Sequence, residues 1–201
     1  MLLSLLTGLA IAAPPTVEPA PSKPADTGEY FRLSQEIVKL SSRNAWSGVT
    51  RLWPELLATG VELSLHDWIA GAHAARAVGN AAECRYRLDN ARDLVDDADT
   101  EREIIEWLAE IDTHYGKVSL KCDLAKKPAV LEVSTMPFKP DMQQAIGFAI
   151  ERVTKECDFD GMLPAGTYTF VVGDKRTDLQ VSPKVSSVQI DLRRHDRKKK
   201  K

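Results

Sequence analysis

The chain has 201 residues, enough for one or two domains with a real core. It is 43% hydrophobic and 28% charged, an ordinary globular balance. The formal net charge of -2 is uneven: residues 193–201 hold seven bases and one acid, a local +6 that leaves about -8 for the rest, which argues against a nucleic-acid-binding fold, since a polyanion binder usually carries its basic charge on the folded body.

Residues 2–13 form an apolar run, and Ala10-Ile11-Ala12 offers small residues at cleavage positions. The run reads as an export signal cut after Ala12, although no Lys or Arg precedes it; the alternative is a disordered apolar start. It is too short to span a bilayer, and no later stretch approaches 18 apolar residues, so no transmembrane helix is expected. Residues 13–27 read as a linker. Pro14, Pro15, Pro19, Pro21 and Pro24 leave it extended and without the apolar surface to fold alone.

Residues 28–115 have a helical period. Five stripes follow one another: Tyr30, Leu33, Ile37 and Leu40; Trp46, Val49, Trp53 and Leu56; Leu65, Trp68, Ala72 and Ala75; Ala81, Cys84, Leu88, Ala91 and Val95; Ile104, Leu108 and Ile111. Ser64 with Asp67, and Thr100 with Glu103, have capping-box spacing. Gly60, Gly79 and Gly116 stand where helices should stop. Pro54 should kink or end the second helix, because it removes a hydrogen bond. Short connections imply antiparallel neighbours, as in a helical bundle or a repeat array.

A shift of 35 residues lays Asn44 on Gly79, Val49 on Cys84, Trp53 on Leu88 and Leu56 on Ala91. Trp68, Gly71-Ala72, Gly79, Cys84, Leu88 and Ala91 resemble a tetratricopeptide repeat. Tyr30 to Leu57 is a poorer copy, with Asn44 at the turn glycine and Val49 at a small position. The resemblance implies a groove that binds an extended peptide, lined by Phe31, Ser34 and Val38 from the first helix and by His66, Ile69, His73 and Arg76 from the third. Arg76 would pair with a ligand carboxylate. A polar, solvated helix face is the competing reading of the same residues.

After Gly116 the period falls to two. Val118 and Leu120, residues 130–133, residues 167–172, residues 179–181, and Val188, Ile190 and Leu192 read as strands, with Gly173-Asp174 as a turn. Residues 140–155 read as one inserted helix. Residues 163–170 resemble the strand entry of PEGA or prealbumin-like domains, which implies a small antiparallel β-sandwich over residues 116–192.

Three cysteines remain: Cys84, Cys122 and Cys157. Cys122 ends a predicted strand and Cys157 follows the predicted helix. A bridge between them would tie helix to sheet and stabilise by about 3–4 kcal/mol. Cys84 occupies a small core slot and reads as a packed free thiol. The alternative leaves all three reduced and buried.

No phosphate loop, G-x-S-x-G elbow, H-E-x-x-H or C-x-x-C occurs, and no catalytic, cofactor or metal residue is assigned. His66 and His73 are about 10 Å apart along the axis, against about 6 Å for the i,i+4 pair that metals use. The four tryptophans fall at helical spacing and read as core. The acids from Asp93 to Glu103 lack the glycine and ligand order of a calcium loop. The tail, with Arg193, Arg194, Arg197, Lys198, Lys199, Lys200 and Lys201, reads as disordered and suited to an anionic polymer.

The expectation is an α+β chain, exported to the periplasm or secreted at a bacterial cell envelope. It would bind a protein or peptide partner through a helical groove, without catalysis or a cofactor. The alternative is a carbohydrate- or polyanion-binding module that uses the β half and the tail; a hydrolase with a dispersed site is a third reading.

Overall fold

A computed structural model describes residues 25–123, 128–184 and 187–193. The expected export signal at 1–12, the linker up to residue 24 and the tail from Arg194 onward lie outside the described residues.

The chain is α+β. Helices α1 (Thr27–Ser41), α2 (Trp46–Ala58), α3 (Leu65–Ala77), α4 (Ala81–Arg92) and α5 (Ala98–His114) come first. Strands β1 (Tyr115–Lys121) and β2 (Ala129–Val133), helix α6 (Pro140–Glu156), and strands β3 (Asp158–Pro164), β4 (Gly166–Val172), β5 (Lys175–Val181) and β6 (Val188–Asp191) follow.

Local chemistry sets the helix ends. Asp26 accepts from the Glu29 N–H (3.0 Å) and starts α1. Ser64 and Asp67 form a reciprocal capping box at α3. Gly60 and Gly79 leave α2 and α3 at positive φ (70° and 83°), and Asn44 takes the same conformation (φ 54°) in the first turn. Three expectations need correction. The cap of α5 is Asp97, which accepts from the Thr100 N–H (2.8 Å), so Thr100 lies inside the first turn. Of the two outcomes expected at Pro54, the helix end does not occur, because Val49, Trp53 and Leu56 anchor α2 on both sides of it. Gly116 is not a helix stop. Tyr115 is already extended, α5 runs straight into β1, and a Cβ on Gly116 would stand 2.7 Å from the Ser182 carbonyl oxygen.

Two three-stranded sheets form, in the orders β3-β1-β6 and β2-β4-β5. β1 pairs antiparallel with β3, and β4 pairs antiparallel with both β2 and β5. The wholly antiparallel expectation fails at one pair: β6 runs parallel to β1, Leu120 opposite Ile190. The two strands are far apart in sequence, so no hairpin dictates their sense. β3 is not among the expected strands, since the expected strand entry begins only at residue 163.

Three apolar clusters hold the elements. Tyr30, Leu33, Ile37, Val49, Trp53 and Leu56 meet Ala70 and Ala74 of α3. The other flank of α3, Ala72 and Ala75, joins Cys84, Leu88, Ile104, Leu108 and Ile111. This second cluster also takes in Tyr115, Ala145 of α6 and Met162 of β3, so both halves contribute to it. The third unites both sheets with the inner face of α6 (Ile146, Ala149 and Val153) around Phe170, Tyr168, Leu131 and Leu163. The small residues of α3 let other helices approach it closely on two sides. Gly79 does the same against α6, where a Cβ would collide with the Gln144 carbonyl.

The Cys122–Cys157 disulfide is present, with Cα atoms 5.3 Å apart. Cys157 is the left-handed C-cap of α6 (φ 49°), and its carbonyl accepts from the Cys122 N–H (3.0 Å). The bridge therefore ties the end of α6 to the end of β1, as the element order suggested. Cys84 is a buried free thiol.

Candidate functional site: an aromatic face on the helices

Asp67 is fully buried and organises the start of α3. One carboxylate oxygen accepts from the Tyr30 hydroxyl (2.8 Å), the Ser64 N–H (3.1 Å) and the Ser64 hydroxyl (2.6 Å). The other accepts from the Ser34 hydroxyl (2.7 Å). Burial first, and the Asp67 carboxylate second, push the Tyr30 phenol above its usual range. These bonds join the N-terminal ends of α1 and α3. At the opposite end Trp46, the first residue of α2, stacks on His73 near the C-terminus of α3. The two helices therefore lie side by side and run the same way.

Along this pair, Phe31, Ser34 and Val38 recur at i, i+3 and i+7, as do His66, Ile69 and His73 on α3. Phe31 and Val38 are 63% and 44% exposed, large apolar groups left in water. His66 and Arg76 are exposed, while Ile69 is half-buried against the second cluster. Ser34 is spent on Asp67, so its part is structural.

His73 lies between two indoles. Its ring is 5.1 Å from Trp46 at 17° and 4.7 Å from Trp107 at 49°. The Arg76 guanidinium stands 5.3 Å from the Trp107 ring centre and pairs with Asp141 of α6 at 3.1 Å. Desolvation, then the charge of Arg76, hold His73 below the usual imidazole range. Trp46 stacks on the imidazole and Trp107 packs at a tilt beside it, while His73 as a whole remains exposed. A hollow of about 360 Å³ opens beside it, lined by Trp46, His73, Arg76, Pro140, Asp141 and Gln144. Such a surface supplies stacking faces, one cation and one imidazole edge.

The tryptophans divide. Trp53 is core as expected, packed over Gly71, with the Arg87 guanidinium 4.2 Å from its ring centre and donating to the Gly71 carbonyl (2.7 Å). Trp46, Trp68 and Trp107 pack against the first two clusters as expected but are half-buried, so they border the core rather than lie inside it. Helical spacing alone did not separate them, because Gly71 of α3 and Arg87 of α4 cover Trp53 and leave the others at the rim. The loop before α6 continues the apolar surface. Phe138 is fully exposed and Met136 half-exposed, and Lys139 pairs with Glu110 of α5 at 3.1 Å. The sequence reading gave this loop no role.

Beneath Trp107 and Arg76 a small hollow reaches Cys84 and Tyr115. Burial pushes the Cys84 thiol and the Tyr115 phenol each up to about 12, so both stay protonated at neutral pH. Among the described residues no group of three or more His, Cys, Asp or Glu is placed to hold a metal ion.

A second concavity of about 560 Å³ lies on the β3-β1-β6 sheet, lined by Lys117, Ser119, Lys121, Asp160, Gln189, Asp191 and Arg193. Arg193 pairs with Asp191, and Lys121 with Asp158 at 3.7 Å. The chain matches no protein-family model, no curated protein and no solved structure.

Proposed function

We propose that this protein is an exported, non-catalytic adaptor of a bacterial cell envelope, holding a protein or peptide partner along the α1–α3 face. The observation that carries the reading is the Trp46–His73–Trp107 row, flanked by Arg76, at one end of an exposed stripe that includes Phe31 and Val38. Rigid aromatic groups and an arginine are the residue types that dominate binding energy at interfaces. The repeat-like reading of the helices makes this face a groove between repeats, and the β half a small sandwich beside it. Export accords with the buried Cys122–Cys157 bridge, since disulfides persist in oxidising compartments. No helix among the described residues is long and apolar enough to cross a membrane.

The test is selection from a random peptide library, followed by titration of the selected peptides against Trp46→Ala and Trp107→Ala. A loss of about tenfold or more per substitution is expected, about 1.4 kcal/mol each. Equal affinity for wild type and variants would sink the reading.

A second reading has its own observation. The sheet concavity presents Lys117, Lys121 and Arg193, and Arg193 is where the basic tail begins. A polyanion-binding module would lose a sulfated polysaccharide steeply as salt rises, and Lys117→Glu would weaken binding further. A salt-independent interaction would exclude it.

A further inference from the structure

We propose that the exposed stripe of α1 and α3 is the docking site of the chain's own proline-rich segment, residues 13–24, which competes there with the external partner. The inference rests on the groove reading above and adds its regulation.

Three observations favour this occupant. The first is position. The segment joins the fold at Asp26, whose N–H donates to the Thr59 carbonyl (2.8 Å), at the same end of α1 as Phe31. From there the stripe leads through Val38 toward the hollow at Trp46 and His73. The second is length. The 15-residue helix α1 is about 22 Å long, and residues 13–24 span about 37 Å as polyproline II. A segment folded back at Asp26 therefore reaches the hollow with residues to spare.

The third is chemistry. Pro14, Pro15, Pro19, Pro21 and Pro24 favour polyproline II, which docks in aromatic-lined grooves at little entropic cost. Trp46, His73 and Trp107 supply such aromatic faces at the far end of the stripe, and Phe31 is the exposed aromatic at its start. Glu18 and Lys23 balance, so the segment's side chains carry no net charge onto an apolar stripe. The tail beyond Arg193, the other stretch outside the described residues long enough to matter, is dense in charge and leaves from the β1–β6 side.

The experiment uses the mature full chain carrying Ala20→p-benzoylphenylalanine, irradiated over a range of concentrations and mapped by mass spectrometry. The expected product is a crosslink within one chain, independent of dilution, on peptides that contain Val38 or His73. Crosslinks elsewhere, none at all, or crosslinks between two chains would overturn the proposal; the last would make a second copy the occupant.

A titration separates this inference from the reading beneath it. A synthetic peptide of residues 13–25 is added to the intact chain and to a chain with the five prolines replaced by serine. The substituted chain should bind it at least tenfold more tightly, read from tryptophan fluorescence, because its site is open. Equal binding to both chains overturns docking in cis and leaves the groove standing. No binding to either overturns the proposal, and the groove reading is then decided by library selection alone.

Discussion

At the scale of single residues, Asp67 has the largest structural role for its size. It is buried and accepts four hydrogen bonds from Tyr30, Ser34 and Ser64. Asp67→Ala would leave those donors unsatisfied in a dry site. A loss of about 3 kcal/mol is expected by chemical denaturation, with less for Asp67→Asn, which keeps an acceptor. His73 makes a prediction in pH. Its folded form binds a proton less readily than the unfolded chain, whose imidazole titrates near 6.5. Below that value the unfolded state takes up more protons, so stability falls as pH drops through about 6.5 and is unaffected well above it. The causes are desolvation first, beside Trp46 and Trp107, and the charge of Arg76 second; Arg76 is itself paired with Asp141. The difference in stability between about pH 7.5 and about pH 5.5 should shrink in His73→Gln. An unchanged difference would show that carboxylates alone account for the acid slope.

At the scale of elements, α2 tolerates Pro54 because tertiary burial outweighs local propensity. Pro54 is exposed, and the residues that hold the helix, Val49, Trp53 and Leu56, face inward. Pro54→Ala restores a backbone donor without touching the core. It should stabilise the protein by about 1–3 kcal/mol, visible as a higher melting temperature. The end of α6 depends instead on a covalent tie. Cys157 takes a left-handed conformation that glycine usually fills, and the disulfide to Cys122 holds it there beside β1.

At the scale of the whole molecule, the second cluster couples the halves. Met162 of β3 and Ala145 of α6 sit among Cys84, Leu88, Ile104 and Leu108 of the helices. Met162→Ala should cost about 2–4 kcal/mol. Helical circular dichroism and hydrogen exchange of the β4 amides should report the same loss of stability. Unequal losses would mean that the halves unfold as independent units.

Periodicity by itself determined a great deal here. It located the five helices, the inserted helix α6 from Pro140 onward, five of the six described strands and the cysteine pair, because each depends on local spacing that burial on one face imposes. It missed β3, whose residues Asp158, Gly161 and Pro164 lower strand propensity and which pairing with β1 stabilises. It did not give the parallel sense of β6, which follows from the place left open beside β1. The site was legible in part: the resemblance to a repeat picked out His73 and Arg76. It did not separate Trp46 and Trp107 from core Trp53, nor find Asp141 or Phe138, and it gave Asp67 its cap but not its bonds to Tyr30 and Ser34. Those roles depend on which elements meet, since α2, α5 and α6 reach His73 and Arg76 from distant parts of the chain. Spacing along one helix says which side chains share a face. Only the packing of other elements decides which of those faces is covered and which is left to water.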